Sequence, residues 1–269
     1  MNLLTPGSFQ TKLRKSETEE FAVYSLSLAP ADYAGRKTVC PHSTADCRLA
    51  CVGGPGSGLA NTFPSIMQSR TEKTLFFFDH REEFLIQLNR EIRAAEHRER
   101  KHNKTPVIRL NAFSDLTWER FPIPGESGRN VFDCNPDCIF YDYTKILARG
   151  KTQLPENYYL CFSYSGTNVN GCLDLLHSGK NVSVVFAQRG EGFTGSGAMN
   201  QRLPSRYRLP GSDHLWTVED GDETDLRHTD KRQTRSGVGR IIGLRLKTGS
   251  QLQRAQLMDS TSGFVQIID

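Results

Sequence analysis

Six strand-sized apolar segments constrain this chain more than any other feature. They fall at residues 107–113, 139–144, 158–164, 182–187, 215–218 and 239–246, with polar or helical sequence between them. All but 215–218 are dense in Val, Ile, Leu, Phe or Tyr, residue types that fit a buried, pleated surface. Near-continuous apolar runs mark strands covered on both faces, and such strands need crossover connections. The expected class is therefore α/β with a mostly parallel sheet, and an irregular or partial β/α barrel is its curved alternative.

Upstream, alternation at 9–13 and 21–28 predicts an N-terminal β-hairpin around the charged turn at 15–20. A helix begins near Ser65. Residues 82–101 then carry the strongest helical period, with Phe84, Leu85, Leu88, Ile92 and Ala95 on one face. The 269 residues show no internal repeat, low-complexity tract or linker, which predicts a single domain. Within it, 9–64 hold the first strands and a cysteine loop, 65–249 the β/α series, and 250–269 a C-terminal extension.

A net charge of +4 permits nucleic-acid contact without arguing for it. The basic run at 98–104 is better explained as a solvated helix end, where cations favour the dipole. No apolar run is long enough to span a bilayer, and the N-terminus lacks the charged start and apolar stretch of a secretion signal. A cytoplasmic location without membrane contact is expected. There, an odd count of seven cysteines reads as thiols or metal ligands.

Three of those cysteines, Cys40, Cys47 and Cys51, lie within a dozen residues, and Gly53, Gly54 and Gly56 follow at once. Thiolates suit an iron–sulfur cluster or zinc and select against magnesium and calcium. Glycine lets a backbone close around whatever the thiols hold. Three ligands leave a fourth position. A structural zinc would fill it with His42, Cys134 or Cys138, whereas an iron–sulfur cluster, ranked ahead of zinc, would leave it for a cofactor such as S-adenosylmethionine. The spacing matches neither zinc-finger pairs nor the usual radical-SAM cysteine run.

Polar residues at strand C-terminal ends mark the usual ligand position of an α/β sheet: Asn111, Ser114, Asp115, Thr144, Lys145, Ser163 and Ser165. The acidic stretch 217–228 follows another strand. Its Asp220 is a candidate for holding a ribose hydroxyl, and Asp222 and Asp225 are candidates for acid–base work or, with Arg227, for a local ion-pair network. A second glycine-rich stretch at 190–197 lacks the closing Lys of a P-loop.

Several segments in order resemble the gene-product-eighty-eight-like family of bacteriophage proteins. They are Lys37-Thr38-Val39-Cys40-Pro41 with Cys47 and Cys51; Val107-Ile108-Arg109-Leu110; Phe140-Tyr141-Asp142-Tyr143-Thr144-Lys145; Leu160-Cys161-Phe162-Ser163; the 220–227 stretch; and Ile242-Gly243-Leu244. The resemblance covers roughly residues 10–249. It implies a phage origin, with no activity to carry over. Where family members tend to follow the third cysteine with Tyr-Ala, this chain has Val52-Gly53. A cysteine-rich start before a β/α series is also similar in layout to radical-SAM proteins.

The leading expectation is an iron–sulfur enzyme acting on a nucleotide-like small molecule, with Arg109, Asp142, Lys145, Ser163, Asp222 and Asp225 around the substrate. The alternative is a non-enzymatic protein that binds a host or phage partner and carries structural zinc or no metal. Nucleic-acid binding ranks last.

Overall fold

The computed structural model describes residues 1–9, 11–54, 63–190, 192–231 and 237–269. It is a single α/β domain built on one mostly parallel sheet. The strands are β1 (Leu4–Pro6), β2 (Phe21–Leu26), β3 (Thr105–Arg109), β4 (Ile139–Thr144), β5 (Tyr158–Ser163), β6 (Val182–Gln188), β7 (Arg206–Tyr207), β8 (Trp216–Asp220), β9 (Ile241–Arg245) and β10 (Val265–Ile268). Their order is β1-β2-β3-β4-β5-β6-β9-β8-β7, and β10 also pairs with β6. Only β1 and β7, at the two ends, run antiparallel to their neighbours. Among the described residues those ends do not pair with each other.

The helices are α1 (Thr11–Arg14), α2 (Ala45–Leu49), α3 (Pro64–Asp79), α4 (Arg81–Arg100), α5 (Leu147–Lys151), α6 (Val169–His177) and α7 (Gln251–Met258). Proline opens α3, where a missing N–H goes unmissed. The α4 stripe is buried as its period requires: Phe84, Leu85, Leu88, Ile92 and Ala95 all face the core. They pack with Tyr24, Leu26, Ile108, Leu110 and Phe140 on one face of the sheet, around Phe77 and Trp118. Each such side chain contributes about 1.5–3 kcal/mol of apolar burial. The other face carries Val23, Val107 and Tyr141 and is covered by Leu13 of α1 and Leu226 from the loop after β8.

One sequence expectation is corrected near the N-terminus. Residues 9–13 are not a strand: Thr11–Arg14 is one turn of helix, and the partner of β2 is β1, with Leu4 opposite Leu26. Leu13 is buried and Phe9 exposed, and one buried leucine suits a helical turn as well as a strand. The C-terminal stretch is part of the sheet. The Ser250 side chain caps α7 by accepting from the Gln253 N–H, and β10 then pairs in parallel with Val185–Gln188 of β6, beyond the point where β5 leaves that edge.

Candidate functional site

The cysteine loop grows out of the C-terminal end of β2 and lies across the same end of its parallel neighbours. Leu28, Ala29, Ala31 and Val39 are buried and anchor it. The Val39 carbonyl accepts from the Asp115 N–H at 2.8 Å, which ties the loop to the segment that follows β3. Cys40 sits at that junction. Its Sγ accepts from the Ala31 N–H at 3.4 Å and donates to the Phe113 carbonyl at 3.3 Å. Thr44 caps α2 by accepting from the Cys47 N–H at 3.2 Å, so Cys47 stands on the first turn of that short helix. Cys51 follows in a turn closed by Gly54 N–H to Cys51 O at 3.0 Å.

The three thiols are near enough for their charges to act on one another. Cys40 is pushed up to about 12, chiefly by burial; the Ala31 N–H opposes the shift, and Cys51 and Cys47 add to it. Burial also pushes Cys51 up, with Cys47 adding to the shift, while N–H groups of Gly53 and Gly54 and the charge of Arg70 oppose it. Without a metal, Cys40 and Cys51 are therefore protonated at neutral pH.

Arg70, from α3, forms the wall beside Cys51. It is 8% exposed, its Nη1 donates to the Gly53 carbonyl at 2.6 Å, and its guanidinium lies 4.3 Å from the centre of the Phe113 ring. Gly53 must be glycine for this packing, since a β-carbon there would overlap the Phe113 ring. Sequence reasoning did not single out Arg70. The signal was present: Arg70, Lys73, Thr74 and Phe77 share one helical face, so two cations point where only apolar side chains are expected.

The remaining expected site residues divide among three places. Asp142 faces the helices rather than the thiols. It is fully buried and accepts from the Asn111 N–H at 2.6 Å, Asn111 Nδ2 at 3.2 Å and the Tyr158 hydroxyl at 3.1 Å. Burial pushes its pKa up to about 7 against these bonds. Asp115 accepts from Thr144 Oγ1 at 2.7 Å, the Lys145 N–H at 2.8 Å and Arg149 at 3.0 Å, and Arg149 also grips Glu119 with two bonds. Lys145 thus meets this network through its backbone. Ser163 lies on the opposite face of the sheet, 2.9 Å from Ser183 across β5 and β6.

Arg109 and Asp225 share that face. They pair at 2.6 Å, with Tyr141 donating to the same carboxylate at 3.0 Å. Burial, the largest influence, works against the Arg109 charge, but Asp225, Tyr141, Tyr143 and Asp142 together outweigh it and hold the pKa above the ordinary range. Asp220 is gripped by both terminal nitrogens of Arg245 at 2.7 Å, and Asp222 is bonded by Lys247 and by the Arg245 N–H. The acidic loop is an ion-pair network in which each of these carboxylates has its own cation.

Cys134 and Cys138 are far from the loop cysteines. Cys138 directly precedes β4 and Asn157 bonds its carbonyl just before β5, at the N-terminal end of the strands, whereas Cys40 lies beyond the C-terminal end of β3. Both are buried in the core under α4. His42 is exposed, and Gly56 lies outside the described residues. A cleft of about 330 Å³ opens at the N-terminal end of β5, among Arg149, Tyr158, Tyr159, Cys161, Asn181 and Arg227. It has none of the loop cysteines in its wall.

Among the described residues no three His, Cys, Asp or Glu side chains are grouped as a ready metal cage. Thiols are the donor type that soft metals take, but the described side chains are not gathered around one point. Three thiols share one loop, backbone N–H groups reach the sulfurs of Cys40 and Cys51, and a buried cation stands beside them. No described helix is long and apolar enough to cross a membrane. No curated protein and no solved structure matches the chain. A family model matches residues 6–259, and the chain belongs to the Gene product 88 family of phage proteins.

Proposed function

We propose that this protein is a cytoplasmic metalloprotein whose Cys40, Cys47 and Cys51 hold an iron–sulfur cluster, and that it acts on a nucleotide-like small molecule. One observation carries the reading: the thiol loop lies over the C-terminal ends of parallel strands, the place where α/β sheets hold ligands. A bound cluster with an open iron would supply electron transfer to a cofactor such as S-adenosylmethionine. The chain's own residues then have distinct tasks. N–H groups of Ala31, Gly53 and Gly54 hold sulfur lone pairs, and Phe113 and Arg70 wall the site. Ser163 and Ser183 offer hydroxyls on the sheet face that also carries Arg109. Protein purified without oxygen tests this directly, through iron, acid-labile sulfide and visible absorbance; a colourless, iron-free product contradicts it.

A second reading, a structural zinc in a protein that docks a host or phage partner, is favoured by the contacts of α2. Cys47, Leu49 and Ala50 pack with Leu257, Phe264 and Val265, Asp46 accepts from the Ser262 hydroxyl, and Gln253 donates to the Leu49 carbonyl. A metal there would clasp the two ends of the chain. Under this reading Cys47→Ala loosens α7 and β10, whereas under the first it removes the metal and leaves the fold. Nucleic-acid binding is weakened by the contacts of the basic run. Arg98 bonds Tyr24 and Glu99, Arg100 pairs with Glu96 and Asp137, and Lys104 donates to Thr18 O at 2.7 Å.

A further inference from the structure

The β7 end of the sheet carries a row of cations that no acid answers. Gln201 and Leu209 are buried and Leu203 and Tyr207 pack against the core, so these side chains turn inward along the segment through β7. Tyr207 fixes the register, with its ring 5.0 Å from that of Phe186 and its hydroxyl donating to Gln266 at 2.6 Å. Alternation along the chain then sends Arg202, Arg206 and Arg208 outward, and all three are exposed. Arg189 joins them beyond β6, because the Gln188 side chain accepts from the Arg202 N–H at 3.3 Å and its own N–H donates to Gln201 at 3.1 Å. Among the described residues none of these four arginines pairs with an acid, and Glu219 on the neighbouring β8 is taken by Arg240 at 2.9 Å. In sequence, 189–212 sets four arginines against one acid, Glu191, a surplus of three where the whole chain has +4. The run at 98–104 is the opposite case: it is denser in cations, but Arg98 pairs with Glu99, and Arg100 with Glu96 and Asp137.

We propose that this row binds the sugar–phosphate backbone of a nucleic acid without reading its sequence. The inference is separate from the metal reading above and stands whether or not the cysteines hold a metal. Guanidinium groups suit phosphate because their planar fork donates two parallel hydrogen bonds to it. Arg206 and Arg208 are two residues apart on extended chain, about 7 Å along its axis, so the charges form a line rather than a cluster. A line of unpaired like charges suits a polyanion whose own charges repeat along one direction. Two other partners fit less well. A bilayer takes up an apolar face beside the cations, and a protein partner needs an apolar interface core. Here Tyr207 and Leu209, the apolar side chains that alternate with the arginines, belong to the protein's own core.

The test is fluorescence anisotropy of the full-length protein with a labelled DNA duplex and with its single strand, followed as salt is raised. Four phosphate contacts predict that duplex affinity falls on the order of 100-fold between about 50 and 200 mM salt. Combining Arg202→Gln, Arg206→Gln and Arg208→Gln should lower the slope of log affinity against log salt by about 2–3. The same three positions changed to Lys keep their charge and should keep the slope. A control, Arg90→Gln with Lys101→Gln, removes two exposed cations from the α4 surface and should change the slope by less than about 1. If the triple Gln variant does not fold, Arg208→Gln alone is used, with an expected change of about 1. Phosphatidylserine vesicles and polyglutamate are measured beside the DNA. No binding at low salt, a Gln variant with the wild-type slope, a Lys variant with the slope of the Gln variant, or a control that loses as much overturns the inference. Tighter binding to the vesicles or to polyglutamate than to either DNA also overturns it, and assigns the row to a membrane or to an acidic protein instead.

Discussion

Two polar regions are built on this sheet, and they differ in how their charges are settled. On the face of Arg109 the carboxylates and cations are matched: Asp225 with Arg109, Asp220 with Arg245, Asp222 with Lys247 and Asp230 with Arg227. At the thiol loop the buried Arg70 lies near Cys51, donates to the Gly53 carbonyl and, among the described residues, pairs with no acid. A matched network has no need of a ligand and explains itself as architecture. A buried cation with no acid is costly unless neutral acceptors hold it, as carbonyl oxygens hold Arg70 and Arg254. That contrast separates the candidate residues more sharply than their chemistry does, since Arg and Asp in a strand-end loop look alike in either role.

The matched region should be costly to break and irrelevant to metal. Asp225→Ala leaves Arg109 buried and alone, and the expected loss is about 3–5 kcal/mol in denaturant unfolding, with metal content per folded molecule unchanged. Replacing both partners by apolar side chains of similar volume should restore much of the loss; failure to do so would show that the pair does more than match charge. The next effect is a pH slope. Burial raises the folded pKa of Asp142 to about 7, above the 3.8 of the free group. Between those values the folded state binds more protons than the unfolded one, so this group's contribution to stability falls as pH rises from about 4 to 7. One proton gives a slope of at most about 1.4 kcal/mol per pH unit, and Asp142→Asn should flatten it.

At the unmatched region, Gly53→Ala forces the Phe113 ring to shift, with an expected loss of about 1–3 kcal/mol. It should also weaken metal uptake, and hydrogen exchange should locate the loosening at the loop. Normal metal affinity in this variant would mean that the Phe113 contact is not part of the site. The smallest effect is expected at the other end of the strands. Cys134→Ala should change stability by about 1 kcal/mol and metal stoichiometry not at all. Any drop in metal would bring that distant pair back into the site.

Much of the sheet was legible because its strands are long apolar runs. Residues 139–144 coincide with β4, and 158–164 and 182–187 fall within a residue of β5 and β6. The α4 face was legible from its period, and all five stripe residues are buried. The N-terminal helix and β1 were not, because three- and four-residue elements carry too few side chains to show a period. The role of 250–269 was hidden for a different reason: β10 is a strand only by virtue of β6 beside it, a contact far off in sequence. For the site, spacing alone picked out Cys40, Cys47 and Cys51 as candidates. It could not tell that Asp142 points to the helices while Arg109 points away, although strand alternation contains that fact once the buried face is known. Arg70 was overlooked because an arginine on a helix reads as solvated until the buried face of that helix is known.

The most direct measurement is the metal and sulfide content of wild-type protein purified without oxygen, set beside Cys47→Ala at matched thermal stability. Iron and acid-labile sulfide with visible cluster absorbance in the wild type, lost in a variant that melts at nearly the same temperature, is the expected result. A wild-type protein that holds neither iron nor zinc, or a Cys47→Ala variant that keeps its full metal content, would contradict it.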